Sequence, residues 1–263
     1  MKNSNILEID GRSLYYAFIA GGNKILQNQA EINKINVFPV KDNDNGTNLA
    51  STIRSVMDSI NPEKSYKNTI DNIAEAALVG ARGNSGVIFA QFLFGISKET
   101  ESKHCVTVSE FAASVKKSIP YMYEAISNPV EGTMLTVIKE WSDYIFSKQS
   151  VIKDFKRILV SSLEVLHQSL VDTTSKLKVL EKSKLVDAGA KGFVFFMEGI
   201  IDFIKSNNIR KIVSLSNENI SLIHSDNSPN EDISYRYCTE ALLRDLSLNK
   251  PDLQKLLIEN GDS

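Results

Sequence analysis

The sequence predicts an all-α fold through about residue 206, on three observations. Apolar residues recur at three- and four-residue spacing in eight segments. No strand–turn–strand alternation interrupts them. Several segments are introduced by turns of small residues that carry a polar cap.

The elements follow in order. Leu14, Phe18, Ile25 and Leu26 mark the first helix, and Leu49, Ile53, Val56, Met57 and Ile60 the second, which Pro62 stops. Ile70, Ile73, Ala77 and Leu78 mark the third, with Gly80 as its expected C-terminal cap. The fourth, 87–96, is apolar on more than one face, as helices buried between neighbours are. The fifth, 108–126, contains Pro120, which should kink or split it. The sixth is 134–146. The seventh, 152–180, places Ile152, Phe155, Leu159, Leu163, Leu166 and Leu170 on one stripe, and the eighth is 192–205.

Residues 1–206 thus read as one domain. In 207–232, two short strands (212–215 and 220–223) precede a Ser/Asn/Asp-rich stretch, which reads as a linker. Residues 233–263 hold a strand and a helix at 234–248. So short a piece cannot bury a core alone, so it is a packed tail or the opening of a second domain.

The 263 residues are 42% hydrophobic and 24% charged, an ordinary globular composition. A net charge of −2 gives no electrostatic basis for binding nucleic acid or an anionic membrane. Cys105 and Cys238 stand far apart without a CxxC pair, which fits a reducing compartment. The N-terminus lacks the apolar core of a signal peptide. The most apolar stretch, 192–204, carries Glu198 and Asp202, so no integral membrane segment is expected and the protein reads as cytoplasmic.

The chemistry concentrates in residues 36–48, Asn-Val-Phe-Pro-Val-Lys-Asp-Asn-Asp-Asn-Gly-Thr-Asn. Asp42 and Asp44 are carboxylates one residue apart, framed by Asn36 and Asn48. Hard oxygen ligands at this density suit Mg²⁺, which takes one or two protein carboxylates beside substrate phosphates and water. The same residue types favour a plain surface turn, so spacing alone leaves both readings open.

Residues 80–86, Gly-Ala-Arg-Gly-Asn-Ser-Gly, place three glycines directly before an apolar helix. Glycine lets a backbone approach a ligand closely, and a helix N-terminus attracts phosphate. Ser85 stands where an N-cap or phosphate-bonding hydroxyl would be, and Arg82 adds a cation. The run is neither a Walker A loop nor a dinucleotide fingerprint. Residues 128–134 and 186–192 repeat the pattern, with Thr133 and Asp187 at the helix starts, and each alone reads as a capped helix.

In an antiparallel helical bundle, alternate loops share an end. Four such helix starts would then converge on one anion, with the two carboxylates holding the neutralising metal. His104, His167 and His224 lack metal-ligand spacing, and no Ser/His/Asp or Cys/His arrangement can be proposed. Trp141 and the aromatics of 193–196 read as core, and Lys182 and Lys184 as a solvated face.

These four runs, in this order, resemble the ATP-binding domain shared by the L subunit of bacterial dihydroxyacetone kinase and the kinase subunit of bacterial fatty acid kinase. The second is closer. Asn-Val-Phe-Pro-Val at 36–40, Gly-Ala-Arg-Gly-Asn-Ser-Gly-Val-Ile at 80–88, Pro-Val-Glu-Gly-Thr-Met-Leu-Thr-Val-Ile at 129–138 and Val-Asp-Ala-Gly at 186–189 carry the resemblance, which covers about residues 8–206.

The resemblance implies an eight-helix antiparallel barrel with ATP and Mg²⁺ at one end. It implies Asp42 and Asp44 as catalytic, metal-binding carboxylates, with Asn36 near a further ligand position. Asn45, Gly46, Thr47 and Asn48 match a phosphate-contacting turn, and Asn84, Ser85 and Gly86 a second. Thr133 and Met134 match a nucleotide-side contact, and Asp187 to Gly189 a loop closing over the nucleotide. The family usually carries Pro at 41, Gly at 43 and Thr at 45, where this chain has Lys41, Asn43 and Asn45. Ala190 replaces a usual Gly. Asn tolerates left-handed backbone angles, so the turn is expected to survive.

Tyr235-Arg236-Tyr237-Cys238-Thr239-Glu240 resembles the start of the family's middle domain. The chain is therefore expected to be a kinase module without the domains that would engage a partner. The implied activity is phosphoryl transfer from ATP to a fatty acid carboxylate, presented by a fatty-acid-binding partner of the DegV type, giving an acyl phosphate. One rival is a dihydroxyacetone kinase L-type subunit, which would phosphorylate a hydroxyl of a small ketose on its partner subunit. The missing third carboxylate and the tail argue against it. The other rival, motivated by Lys41 and Asn43, is a nucleotide-binding regulatory protein that has lost catalysis. The number of metals and self-association into an oligomer are left open by the sequence.

Overall fold

The computed structural model describes residues 5–39 and 41–206, and beyond them Asn249, Asp252 and Lys255. The chain divides into two compact units, Met1–Asp226 and Asn227–Ser263, and the architecture below is that of the first. The strands expected at 212–215 and 220–223, the linker and the second-domain start lie outside the described residues.

Eight long helices carry the fold: α1 (Gly11–Gln27), α3 (Asn45–Ser59), α4 (Tyr66–Gly80), α5 (Gly83–Glu99), α6 (Val108–Glu124), α7 (Met134–Lys148), α8 (Phe155–Lys176) and α10 (Ala188–Ser206). Each packs on the next in chain order, and α10 returns onto α1, which closes the ring. This is the expected all-α, eight-helix barrel. Helices α5 and α10 are buried on several faces, as their apolar composition requires. At the centre, Phe196 makes edge contacts with Phe18 and Phe89 at 5.3 and 5.0 Å. Trp141 is core, donating Nε1–H to Ser162 Oγ (2.9 Å) and packing on Phe193.

The structure departs from the sequence reading in five places. Two short helices, α2 (Gln29–Lys34) and α9 (Lys178–Ser183), join the long ones. The seventh segment breaks at Leu177, which is extended, yet its periodicity carries on because Leu170 and Leu180 on either side are both buried. Strands β1 (Glu8–Asp10) and β2 (Cys105–Thr107) pair antiparallel, Ile9 opposite Val106. Three residues are too few to leave an alternation. Helix α6 continues through Pro120, whose exposed position lets water meet the carbonyl that proline leaves unpaired. Gly80 is the last residue of α4 rather than a left-handed cap. A Cβ there would lie 2.1 Å from Ser55 Cβ, so the glycine serves the close approach of α3 and α4.

Candidate active site

The helix starts differ between the two ends of the ring. Near the sheet, α1, α4, α6 and α8 each begin on a side-chain cap. Asp10 Oδ1 accepts from Ser13 N–H (2.8 Å), Ser65 Oγ from Asn68 N–H (3.3 Å) and Asp154 Oδ1 from Lys156 N–H (3.1 Å). Thr107 and Glu110 form a capping box. At the other end, α3, α5 and α7 begin at Asp44, Arg82 and Thr133, whose own side chains make no cap hydrogen bond, although the Thr47 amide of α3 donates to Asn33 Oδ1 (3.0 Å) and the Met134 amide of α7 to the Asp187 carboxyl. The Thr133 hydroxyl instead turns back to the Val130 carbonyl (2.8 Å). Asp187 caps its own helix, α10, its Oδ1 accepting from Ala190 N–H (2.7 Å). Helix starts expose backbone donors that need an acceptor, and at this end fewer of them are met by the helix's own N-cap residue.

Asp42 and Asp44 stand at this end. Asn43 between them adopts the left-handed backbone (φ 57°), so the tight turn survives without glycine. Burial pushes the Asp44 carboxyl above the usual carboxylate range, and its contact with Asp42 pushes it the same way. An anionic pair held this close fits a bound cation. Asn48 Nδ2–H donates to Asp44 Oδ2 (2.9 Å). Asn36 Nδ2–H donates to Asp42 Oδ1 (2.5 Å) and, at 3.5 Å, to Asp44 Oδ1. Its own oxygen accepts from Asn45 Nδ2–H (2.9 Å), and Asn45 Oδ1 accepts from the Ser85 hydroxyl (2.5 Å). The carboxylates and Ser85 are thus on the same end, three side-chain hydrogen bonds apart. Among the described residues no group of three or more His, Cys, Asp or Glu is placed to hold a metal.

A pocket of about 120 Å³ gathers residues from all four predicted loops: Pro39 and Asn45, Asn84 and Ser85, Thr133 and Met134, Asp187 and Gly189. Other candidates do different work. Gly46 lets α3 approach α2, since a Cβ would lie 2.3 Å from the Gln29 carbonyl, and the Thr47 hydroxyl accepts from Asn33 (3.0 Å). Gly86 lets α5 approach Thr52, where a Cβ would come within 2.5 Å of Oγ1. Ser85 lies inside the first turn of α5 rather than at the N-cap, which is Arg82.

Burial pushes the Asp187 carboxyl up to about 6, against the pull of the Ala190 and Met134 backbone amides. Sequence reasoning missed Thr52 and Glu131. Thr52 Oγ1 accepts from Arg82 N–H (3.2 Å) and donates to the Asn48 carbonyl (3.0 Å), pinning the two loops together. Glu131 accepts from Tyr123 (2.9 Å) and Thr136 (2.5 Å), bracing the turn whose left-handed corner is Gly132 (φ 85°). Glu131 lies within a motif, but its acceptor role depends on Tyr123 from α6.

A family model described as the DAK2 domain matches residues 39–202. Protein YloV of Bacillus subtilis is 31% identical over 250 residues, covering 91% of this chain and 45% of YloV. A protein of Staphylococcus saprophyticus is 33% identical over 249 residues, covering 91% of this chain and 44% of its own length. The chain spans a little under half the length of these curated relatives. Among solved structures, the dihydroxyacetone kinase from C. freundii in complex with AMP-PNP and Mg²⁺ superposes with a TM-score of 0.55 at 13% identity. The match covers 77% of this chain and 34% of that one, a likeness of fold.

Proposed function

This chain belongs to the DAK2 domain family, and from that premise we propose that it is an ATP-dependent kinase acting on a fatty acid carboxylate held by a partner protein. The observation that carries the reading is that four helix starts converge on one pocket beside a carboxylate pair, and at three of them the N-cap residue's own side chain makes no cap, while at the four far starts it does. A triphosphate supplies the acceptors such starts need. Asp42 and Asp44 would hold Mg²⁺, which supplies charge neutralisation on the phosphate oxygens. Backbone amides at the starts of α3 and α5 would orient the phosphates, and Thr133, Met134 and Gly189 would bound the nucleotide.

In the transfer, a carboxylate oxygen bonds to the γ-phosphorus as the bond to the β,γ-bridging oxygen breaks, and ADP leaves. The acceptor is already ionised at neutral pH, so no general base is required. The protein's part is positioning. The test is incubation with ATP, Mg²⁺ and a fatty-acid-loaded partner, with hydroxylamine trapping of the acyl phosphate. Acyl hydroxamate that depends on both the partner and ATP is expected.

A second reading, transfer to a hydroxyl of a small ketose on a partner subunit, draws on the fold shared with the C. freundii kinase. Ketose phosphate without acyl hydroxamate would favour it.

A further inference from the structure

The hydrogen bonds from Ser85 to the carboxylates run in one direction. Ser85 Oγ–H donates to Asn45 Oδ1, Asn45 Nδ2–H to Asn36 Oδ1, and Asn36 Nδ2–H to Asp42. Ionised carboxylates only accept, so they fix this polarity from one end. The three relay residues are buried, at 6%, 8% and 1% exposure, so water cannot repair a mismatch within the series. Ser85, at the far end, lines the pocket. Its proton is given to Asn45 and is not offered to the pocket.

A cation between the carboxylates inverts the preference at Asn36. Its amide hydrogens would face positive charge, whereas its oxygen is a hard ligand. Asn36 cannot turn alone, because its NH₂ would then meet the NH₂ of Asn45 and leave a buried hydrogen bond unmade. If both amides turn, Asn45 Nδ2–H donates to Ser85 Oγ, and the serine proton is released toward the pocket. We infer that Asn36 and Asn45 are positioning residues forming a reversible polar relay, through which cation binding at Asp42 and Asp44 turns Ser85 into a hydrogen-bond donor for a phosphate oxygen. This deepens the proposed function and rests on its reading of Asp42 and Asp44 as a cation site.

The test uses the wild-type chain, deuterated and labelled with ¹⁵N and ¹³C, with side-chain amides assigned through bonds to their own backbones. Mg²⁺ alone is titrated in. The expected result is movement of the Asn36 and Asn45 side-chain amide signals along one shared saturation curve. Movement of Asn36 without Asn45 would overturn the relay while leaving the cation site standing. If Mg²⁺ has no saturable effect at 36–48, both the relay and the cation reading fail. As a second readout, Ser85→Ala should weaken ATP binding about tenfold with Mg²⁺ present and leave it unchanged in EDTA. An equal loss under both conditions would refute the inference.

Discussion

At the sheet end of the ring, where four helices begin on side-chain caps, lies an apolar cavity of about 590 Å³ lined by residues such as Ile70, Phe92, Trp141 and Phe193. At the opposite end, where the N-cap residues of three helices make no cap of their own, a pocket of about 120 Å³ is lined by Asn45, Ser85, Thr133 and Asp187, with Asp42 linked to Asn45 through Asn36. The same eight helices supply both. Where side chains meet the backbone donors, the end is locally complete and contributes stability. At the other end the N-cap side chains do less of this, and the backbones pack closely at Gly46, Gly83 and Gly86. Each end also carries a polar misfit. At the sheet end it is the Tyr66 hydroxyl, fully buried without a hydrogen-bond partner among the described residues. At the other it is Asp187, whose carboxyl is held well above its ordinary range.

Removing charge from the carboxylate end should have the largest effect. Asp42→Ala or Asp44→Ala should cost at least about 100-fold in Mg-ATP turnover and binding, while the helical circular dichroism is retained. Full activity in both variants would erase the functional distinction between the ends.

The next test concerns pH. Folding raises the Asp187 carboxyl to about 6 from an ordinary 3.8, so the folded chain holds that proton more tightly. Its contribution to stability is complete below about pH 4 and is lost as pH rises through about 6. Asp187→Asn keeps an N-cap acceptor and removes that loss. Urea midpoints measured from pH 4 to 7 should show the variant gaining on the wild type as pH rises. Parallel curves would mean the carboxyl titrates normally.

Two smaller effects probe the capped end. Asp10→Ala should cost about 1 kcal/mol of folding stability, read by chemical denaturation, and leave the Kd for Mg-ATP unchanged. A comparable loss of nucleotide affinity would show that the ends are coupled. Tyr66→Phe should raise stability by up to about 1 kcal/mol, because it deletes a buried hydroxyl that lacks a partner. A loss of stability would mean the hydroxyl is satisfied.

Much of the architecture is legible locally. The stripes of Leu49, Ile53 and Val56 or of Leu159, Leu166 and Leu170 specify helices whatever their neighbours, because a 3.6-residue period is a property of the chain itself. The turns before α3, α5, α7 and α10 are legible for the same reason, since glycine and short polar residues act within a few positions. What the sequence by itself determined is therefore the helical class, the eight long segments and the four loops where chemistry gathers.

Tertiary structure alone decided which end each loop occupies, and hence that residues from all four loops line one pocket. It decided that Gly46 and Gly86 serve helix packing. It also decided that Asn36 turns its nitrogen toward the carboxylates, an orientation set by Asn45 and, through it, by Ser85 forty positions further along the chain. The physical reason is range. Backbone periodicity and turn geometry are settled within a few residues, whereas the direction of a buried amide depends on every partner in its hydrogen-bonded series, and folding alone brings those partners together.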